Sequence, residues 1–408
     1  MELIVRNVIL APGAAPVDLG VADGRIVEIA PRLATKAETK TLDGAGGYAF
    51  PGFVESHVHL DKACLLDRTQ AGGDPKAAIA AVKEAKADFT RDDVAARAGR
   101  VLDMMIAQGT TLLRTQVEVD PVVGLTGLEG VMEAASARAW GIETEICVFP
   151  QDGLTNLPGT ETLLREGLAA GATVLGACPY TDDDPMAQLD ILFDMAVEHD
   201  VDLDMHLDFD LDPDLSTLHA VIERTEAASW QGRVVVGHVN RLSAVAREAR
   251  EGMTDRLAAA GIGLTALPST DLFLMGQGAE HLVPRGVAPV HAAKGCRCSL
   301  STNNVLNPFT PFGDGSALRI AHLYAHVARI GDAEGLARCF SLVSEDARAL
   351  MNRPALRIEP GAPADIVVLD AEGPADAVRR LAPARLGVKA GRQSFCRPSV
   401  RLLSPCSA

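Results

Sequence analysis

Two histidines spaced by one residue, His57 and His59, follow the short apolar run Phe53-Val54 within the segment PGFVESHVHLDK, residues 51–62. Side chains alternate faces along a β-strand, so His57 and His59 point the same way. Two imidazoles on one face at a strand end can hold one divalent metal, at bond lengths of about 2.0–2.1 Å. Two more histidines close apolar runs: His206 ends Val201–His206, and His238 ends Arg233–His238. Four histidines at matching strand ends predict one metal-centred site. Asp61 and Lys62 add ionisable groups beside the first pair. The other six histidines (199, 219, 281, 291, 322 and 326) fall in helical or loop segments and are expected to carry no chemistry.

These residues need a scaffold that brings strand ends together. Between Phe53 and about Met351, apolar runs alternate with alanine-rich helical segments. Eight runs read as strands: Phe53–His57, Thr110–Val117, Glu143–Phe149, Thr173–Ala177, Leu203–His206, Val234–His238, Gly263–Ala266 and Cys298–Ser301. Helical patterns separate them, such as Asp92–Gln108, Thr160–Gly171 and Asp184–His199. Eight such alternations predict an α/β fold, a (β/α)8 TIM-like barrel, whose chemistry gathers at the C-terminal ends of its strands. An open doubly wound sheet is the competing arrangement.

Both chain ends have a different texture. Residues 1–52 read as short strands with turns, including the hairpin signal Asp23-Gly24. The C-terminal segment carries the continuous apolar run Ile366–Leu369 and a second turn and strand around Leu386–Arg392. The expected organisation is a small β-sandwich domain built from 1–52 and 356–408, with the barrel occupying 53–355.

Composition narrows the partners. The 408 residues carry a formal charge of −16 and a pI near 5.1, which disfavours nucleic acid and anionic membranes. Aromatic content of 4% argues against a stacking platform for bases. The N-terminus has no charged start with an apolar core, and no run reaches the roughly 18 apolar residues of a membrane span. The eight cysteines lack CxxC spacing, and Cys296 and Cys298 are expected to pack rather than bind metal. A reduced, cytoplasmic protein is the expectation.

The motif at 51–61 resembles the PGFV(E/D)xHxHxD signature of the amidohydrolase superfamily. Nearly the whole chain is similar to its cytosine deaminase and N-isopropylammelide isopropylaminohydrolase group. That resemblance implies that His57, His59 and His206 ligate one divalent ion, zinc or iron, and that His238 orients the attacking water. Phe149-Pro150-Gln151-Asp152-Gly153 is similar to the group's FPQ(E/D)G, which makes Gln151 a substrate-recognition residue. Arg114–Asp120 is similar to the second-strand motif, with Gln116 where the group has histidine.

Two departures stand out. The eighth strand of the group carries a metal-ligating aspartate that accepts a proton; that position falls on Asn303, aligned through Asn304, Pro308 and Phe309. An amide oxygen can ligate but cannot act as a base. The proton-shuttling glutamate of cytosine deaminase falls on Phe209, flanked by Asp208 and Asp210. Three explanations follow: a rearranged acid/base set drawn from Asp208, Asp210, Asp61 or Lys62; a metal serving another reaction; or a degenerate member. The first is favoured.

The expected function is metal-dependent hydrolysis of a C–N bond in a small nitrogen heterocycle such as a pyrimidine or triazine, deamination first and cyclic-amide opening second. His238, Asp208, Asp210 and Lys62 are the catalytic candidates. Gln151, Asn304 and Phe309 are the substrate contacts, and His57, His59, His206 and Asn303 are the metal ligands. The alternative is a metal-bearing, non-hydrolytic or degenerate barrel that binds a small ligand. Relatives in the group assemble into multimers, so a homo-oligomer is a further expectation.

Overall fold

The computed structural model describes residues 1–70, 73–276, 286–398, 400 and 402. His281 and Cys406 lie outside them. Fifteen strands are named among these residues. Four precede the barrel: β1 Leu3–Ile9, β2 Val17–Ala22, β3 Arg25–Ala30 and β4 Lys40–Phe50. The barrel strands are β5 Phe53–Val58, β6 Thr110–Glu118, β7 Glu143–Phe149, β8 Val174–Ala177, β9 Asp202–Leu207, β10 Val234–His238, β11 Gly263–Ala266 and β12 Cys298–Leu300. Three follow it: β13 Ile366–Leu369, β14 Ala384–Lys389 and β15 Arg392–Cys396.

Strands β5 to β12 lie side by side in sequence order, all parallel. A bridge between Val58 and Asn303 brings the two ends of that sheet together. The result is a (β/α)8 barrel rather than an open doubly wound sheet. Strand β12 is only three residues long, and side chains finish the seam its ladder leaves open. The Ser56 N–H donates to Ser301 Oγ at 3.1 Å, and the Ser56 hydroxyl lies 2.6 Å from Ser301 Oγ and 2.8 Å from Ser299 Oγ. The buried Glu55 carboxylate accepts from the Thr302 N–H at 3.0 Å.

Strands from both chain ends form one mixed seven-stranded sheet, ordered β15-β14-β13-β4-β1-β2-β3. Only the β1–β4 pairing is parallel. The sheet folds back on itself. Ile26 of β3 donates its N–H to Ala362 at 2.9 Å, just ahead of β13, and its carbonyl accepts from Gly361 at 2.7 Å. Leu3, Leu19, Ile26, Ile366, Val368 and Val388 form the apolar core between the two halves. The Asp23-Gly24 turn has φ of 50° and 72°, the paired positive values a two-residue hairpin requires.

The helices pack outside the barrel as anticipated, with boundaries shifted by a few residues. Four lie beyond the anticipated set: Pro268–Leu274, Ala333–Ser341, Glu345–Leu350 and Pro374–Arg380. The first bears on the site below. Among the described residues no helix is long and apolar enough to cross a membrane. Six of the seven described cysteines are buried free thiols, and Cys296 donates to the Ile262 carbonyl at 3.2 Å.

Candidate active site

Barrel parallelism aims every strand's C-terminal end at one rim. His57 lies near the end of β5, His59 one residue beyond it, His206 near the end of β9, and His238 ends β10. The rim brings their imidazoles together. His206 Nε2 lies 3.1 Å from His57 Nε2 and 3.0 Å from His59 Nε2. Burial holds all three below the ordinary histidine pKa, His59 and His206 far below it; for those two the neighbouring positive charge on Lys62 adds to the effect. Neutral imidazole is the form that ligates metal.

Second contacts orient the trio. His57 Nδ1 faces Asp204 Oδ1 at 3.3 Å, which leaves Nε2 as its lone-pair nitrogen. Asp204 is itself held by Arg114 Nη1 at 2.9 Å, and Arg114 Nε donates to Glu145 at 2.6 Å. The Gln116 amide, where the resemblance placed a histidine, lies 3.3 Å from the same His57 Nδ1. Asn303 joins the cluster through its backbone and leaves its buried Oδ1 with no partner among the described residues. Three convergent imidazole nitrogens, with Asn303 on the same cavity, fit a divalent ion.

His59, His206, His238, Asn303, Lys62 and Gln151 line one small, tight cavity, together with Tyr180, Phe209, Asn304 and Phe309. Lys62 Nζ donates to Gln151 Oε1 at 2.9 Å and lies 3.4 Å from Glu118 Oε2. Gln151 Nε2 donates to Cys178 Sγ at 3.3 Å. Its amide is thereby held at the cavity wall between Lys62 and Cys178. Asn304 Oδ1 accepts from Asn307 Nδ2 at 2.7 Å. Phe209, Phe309, Leu65, Val82, Leu274 and Met275 form an apolar cover that includes part of the helix Pro75–Lys86.

Two catalytic candidates lie elsewhere. Strand β9 stops at Leu207, and Asp208 takes φ 49°, a left-handed turn. That turn leaves the Phe209 ring on the cavity, 4.2 Å from the His238 ring. Asp208 is buried, with Oδ2 unpartnered among the described residues and Oδ1 3.8 Å from Arg241. Burial pushes its pKa up to about 7. Asp210 is half exposed and bound to Arg241 at 2.7 and 2.8 Å. Neither lines the cavity, so the expectation that one of them replaces the missing base is not carried by the geometry. Asp61 is also spent on structure, accepting the N–H of Lys62 and of Glu118, each at 2.9 Å.

The sequence profile of the amidohydrolase family matches residues 94–395. The chain belongs to the amidohydrolase family. A pterin deaminase from Rhizobium rhizogenes is 28% identical over 369 residues, covering 88% of this chain and 83% of that protein. The structure of 5-methylcytosine deaminase from Klebsiella pneumoniae, solved with 5-fluorocytosine, superposes with a TM-score of 0.90 at 25% identity, over 99% of this chain and 100% of that one. N-isopropylammelide isopropylaminohydrolase from Burkholderia multivorans superposes with a TM-score of 0.84 at 28% identity, over 96% and 97% of the two chains.

Several residues that shape the site of this amidohydrolase escaped the sequence reading. Asp204 stands two residues before His206 on the same strand face, a spacing that could have marked it. Lys86, buried at the end of the helix Pro75–Lys86, bonds Glu118, Asp120 and, at 2.7 Å, Asp152. Those three carboxylates are close enough to hold an ion, and the lysine ammonium already sits among them. Asp271 lies on the unanticipated helix Pro268–Leu274, and its Oδ1 is 2.7 Å from His238 Nδ1. No local spacing links a lysine or an aspartate on a helix to a strand end far away in sequence.

Proposed function

We propose that this amidohydrolase hydrolyses an exocyclic C–N bond of a small nitrogen heterocycle and releases ammonia or an amine. The observation that carries the reading is the convergence of His57, His59 and His206, with His238 and Gln151 on the same small cavity. The relatives that act on cytosine-type, pterin and triazine compounds support it.

One divalent ion, zinc or iron, would be held by His57, His59 and His206, with Asn303 as a neutral fourth donor. When bound it supplies Lewis acidity that makes water acidic near neutral pH. The chain's own residues supply recognition and proton handling. Lys62 Nζ and the Gln151 amide present donors and an acceptor to ring oxygens and nitrogens. Phe209 and Phe309 cover the ring and exclude bulk water. His238 takes one proton from the attacking water as the C–O bond forms, then returns it to the leaving nitrogen as the C–N bond breaks.

A second reading draws on Asn303 and Phe209, which remove a base and a proton shuttle: a metal-bearing barrel that binds a heterocycle without hydrolysing it. The test is ammonia or amine release from cytosine, 5-methylcytosine, a pterin and N-isopropylammelide, after reconstitution with zinc, iron or manganese. Turnover of one of them that depends on added metal is expected. Retained metal and ligand binding with no turnover across the panel overturns hydrolysis in favour of the binding reading.

A further inference from the structure

The site poses a specific question: with Asn303 uncharged, which group makes a nitrogen on the cavity wall able to accept a proton? Apart from Asp208, which does not line the cavity, the nearby carboxylates are otherwise committed. Asp204 is bound to Arg114, Glu118 to Lys62 and Lys86, and Asp210 to Arg241. Both Asp61 oxygens accept backbone N–H groups, and Glu55 is bonded across the barrel seam to Thr302.

Asp271 is different. It is fully buried, and among the described residues no arginine or lysine is paired with it. Oδ1 lies 2.7 Å from His238 Nδ1, and Oδ2 accepts the Leu267 N–H at 3.1 Å. The second bond locks the carboxylate plane, because Leu267 precedes the helix that carries Asp271. A carboxylate can only accept, so His238 carries its proton on Nδ1. The lone pair is then on Nε2, on the ring edge away from Asp271. The backbone is also specialised here, with His238 at φ 66° and Val239 at φ 46°, left-handed conformations that non-glycine residues rarely adopt. The ring packs against Phe209 at 4.2 Å, which restricts its rotation.

We propose that Asp271 is a positioning residue: it holds His238 in the Nδ1–H tautomer with Nε2 free, and so supplies from the helix after β11 the carboxylate that Asn303 does not supply after β12. This rests on the hydrolytic reading above. In the step it serves, a water O–H bond breaks and its proton moves to His238 Nε2. The imidazolium is stabilised by Asp271 until Nε2 returns the proton to the departing nitrogen.

Asp271→Asn tests this sharply. Asparagine has one oxygen for two donors, the Leu267 N–H and the His238 Nδ1–H. With its oxygen on Leu267, its NH2 group faces Nδ1 and forces the proton to Nε2, the tautomer that cannot accept. Two measurements are paired. ¹⁵N NMR of histidine-labelled protein, with the His238 signals identified by their loss in His238→Gln, reads the tautomer without any substrate. Steady-state kinetics on whichever panel compound is turned over reads the consequence.

The wild-type protein is expected to show the Nδ1–H tautomer and Asp271→Asn the Nε2–H tautomer. The kcat should fall by about 100-fold or more, with KM within a few-fold and metal content unchanged. A wild-type His238 protonated on Nε2 overturns the proposal, as does an Asp271→Asn protein with near-normal kcat. Should Asp271→Asn fail to fold, the wild-type tautomer decides alone. Absence of turnover on the whole panel counts against hydrolysis and leaves the tautomer result standing.

Discussion

The backbone N–H of Asn303 donates to the carbonyl of His57 at 3.0 Å, and the Asn303 carbonyl accepts the His59 N–H at 2.8 Å. This reciprocal pair closes the barrel and fixes the site at the same point. It holds Asn303 between the two histidines of the HxH motif whatever its side chain is. A substitution at 303 therefore changes the chemistry presented to the cluster while the backbone that positions it stays bonded.

Asn303→Asp should accordingly tighten metal binding, by about 10–100-fold, the scale on which changes around the ligand shell act. It should also raise deamination of a cytosine-type compound. Adding Phe209→Glu restores an ionisable group on the cavity wall and should raise it further. Competition with a chelator and ammonia release measure the two effects. No change in either would show that the side chain at 303 does not reach the metal.

His206→Ala should release bound metal, because His206 is the imidazole that lies within 3.1 Å of both others. His238→Ala should keep the metal and lose activity by about 10²–10⁴-fold, the worth of a positioned proton acceptor. Elemental analysis of the purified variants beside kinetics separates the two roles. Equal metal loss in both would make His238 a ligand.

Gln151→Leu should raise KM by about 3–10-fold and change folding stability by no more than about 1 kcal/mol, the range of one neutral hydrogen bond. Lys62 keeps Glu118 as its counter-ion in that variant. Thermal melting against KM is the comparison. Parallel losses would assign Gln151 to the scaffold.

Asp208→Asn should stabilise the protein at pH 8 by about 1–3 kcal/mol and change little near pH 4. Burial raises the folded carboxyl to about 7, above its unfolded value. Its contribution to stability is therefore present in full below the unfolded pKa and is lost as pH rises toward 7. Asparagine removes that loss, and it tolerates the left-handed φ of 49° at this position. Denaturant unfolding at several pH values checks the sign. Destabilisation at pH 8 would mean that the charged carboxylate has a partner worth keeping.

Much of this architecture was legible in the chain. Three barrel strands, β7, β10 and β11, match their anticipated bounds, because buried parallel strands are short apolar runs with sharp ends. The histidines could be grouped because each ends such a run, and barrel geometry sends all run ends to one rim. The return of the C-terminal strands to the N-terminal sheet followed from texture at both ends.

The sequence by itself determined the barrel, the two-ended sheet and the identity of the histidines that meet, since alternation along a strand fixes which side chains share a face. Tertiary structure decided the rest. Asp208 and Asp210 were read as replacements for the missing base, but the left-handed turn at 208 put Phe209 on the cavity and left both carboxylates to Arg241. Asp271 and Lys86 reach the site from helices whose periodicity only says which face is apolar. Where a helix sets down a polar side chain depends on loop length and on packing against the barrel, and neither leaves a signature in local residue spacing.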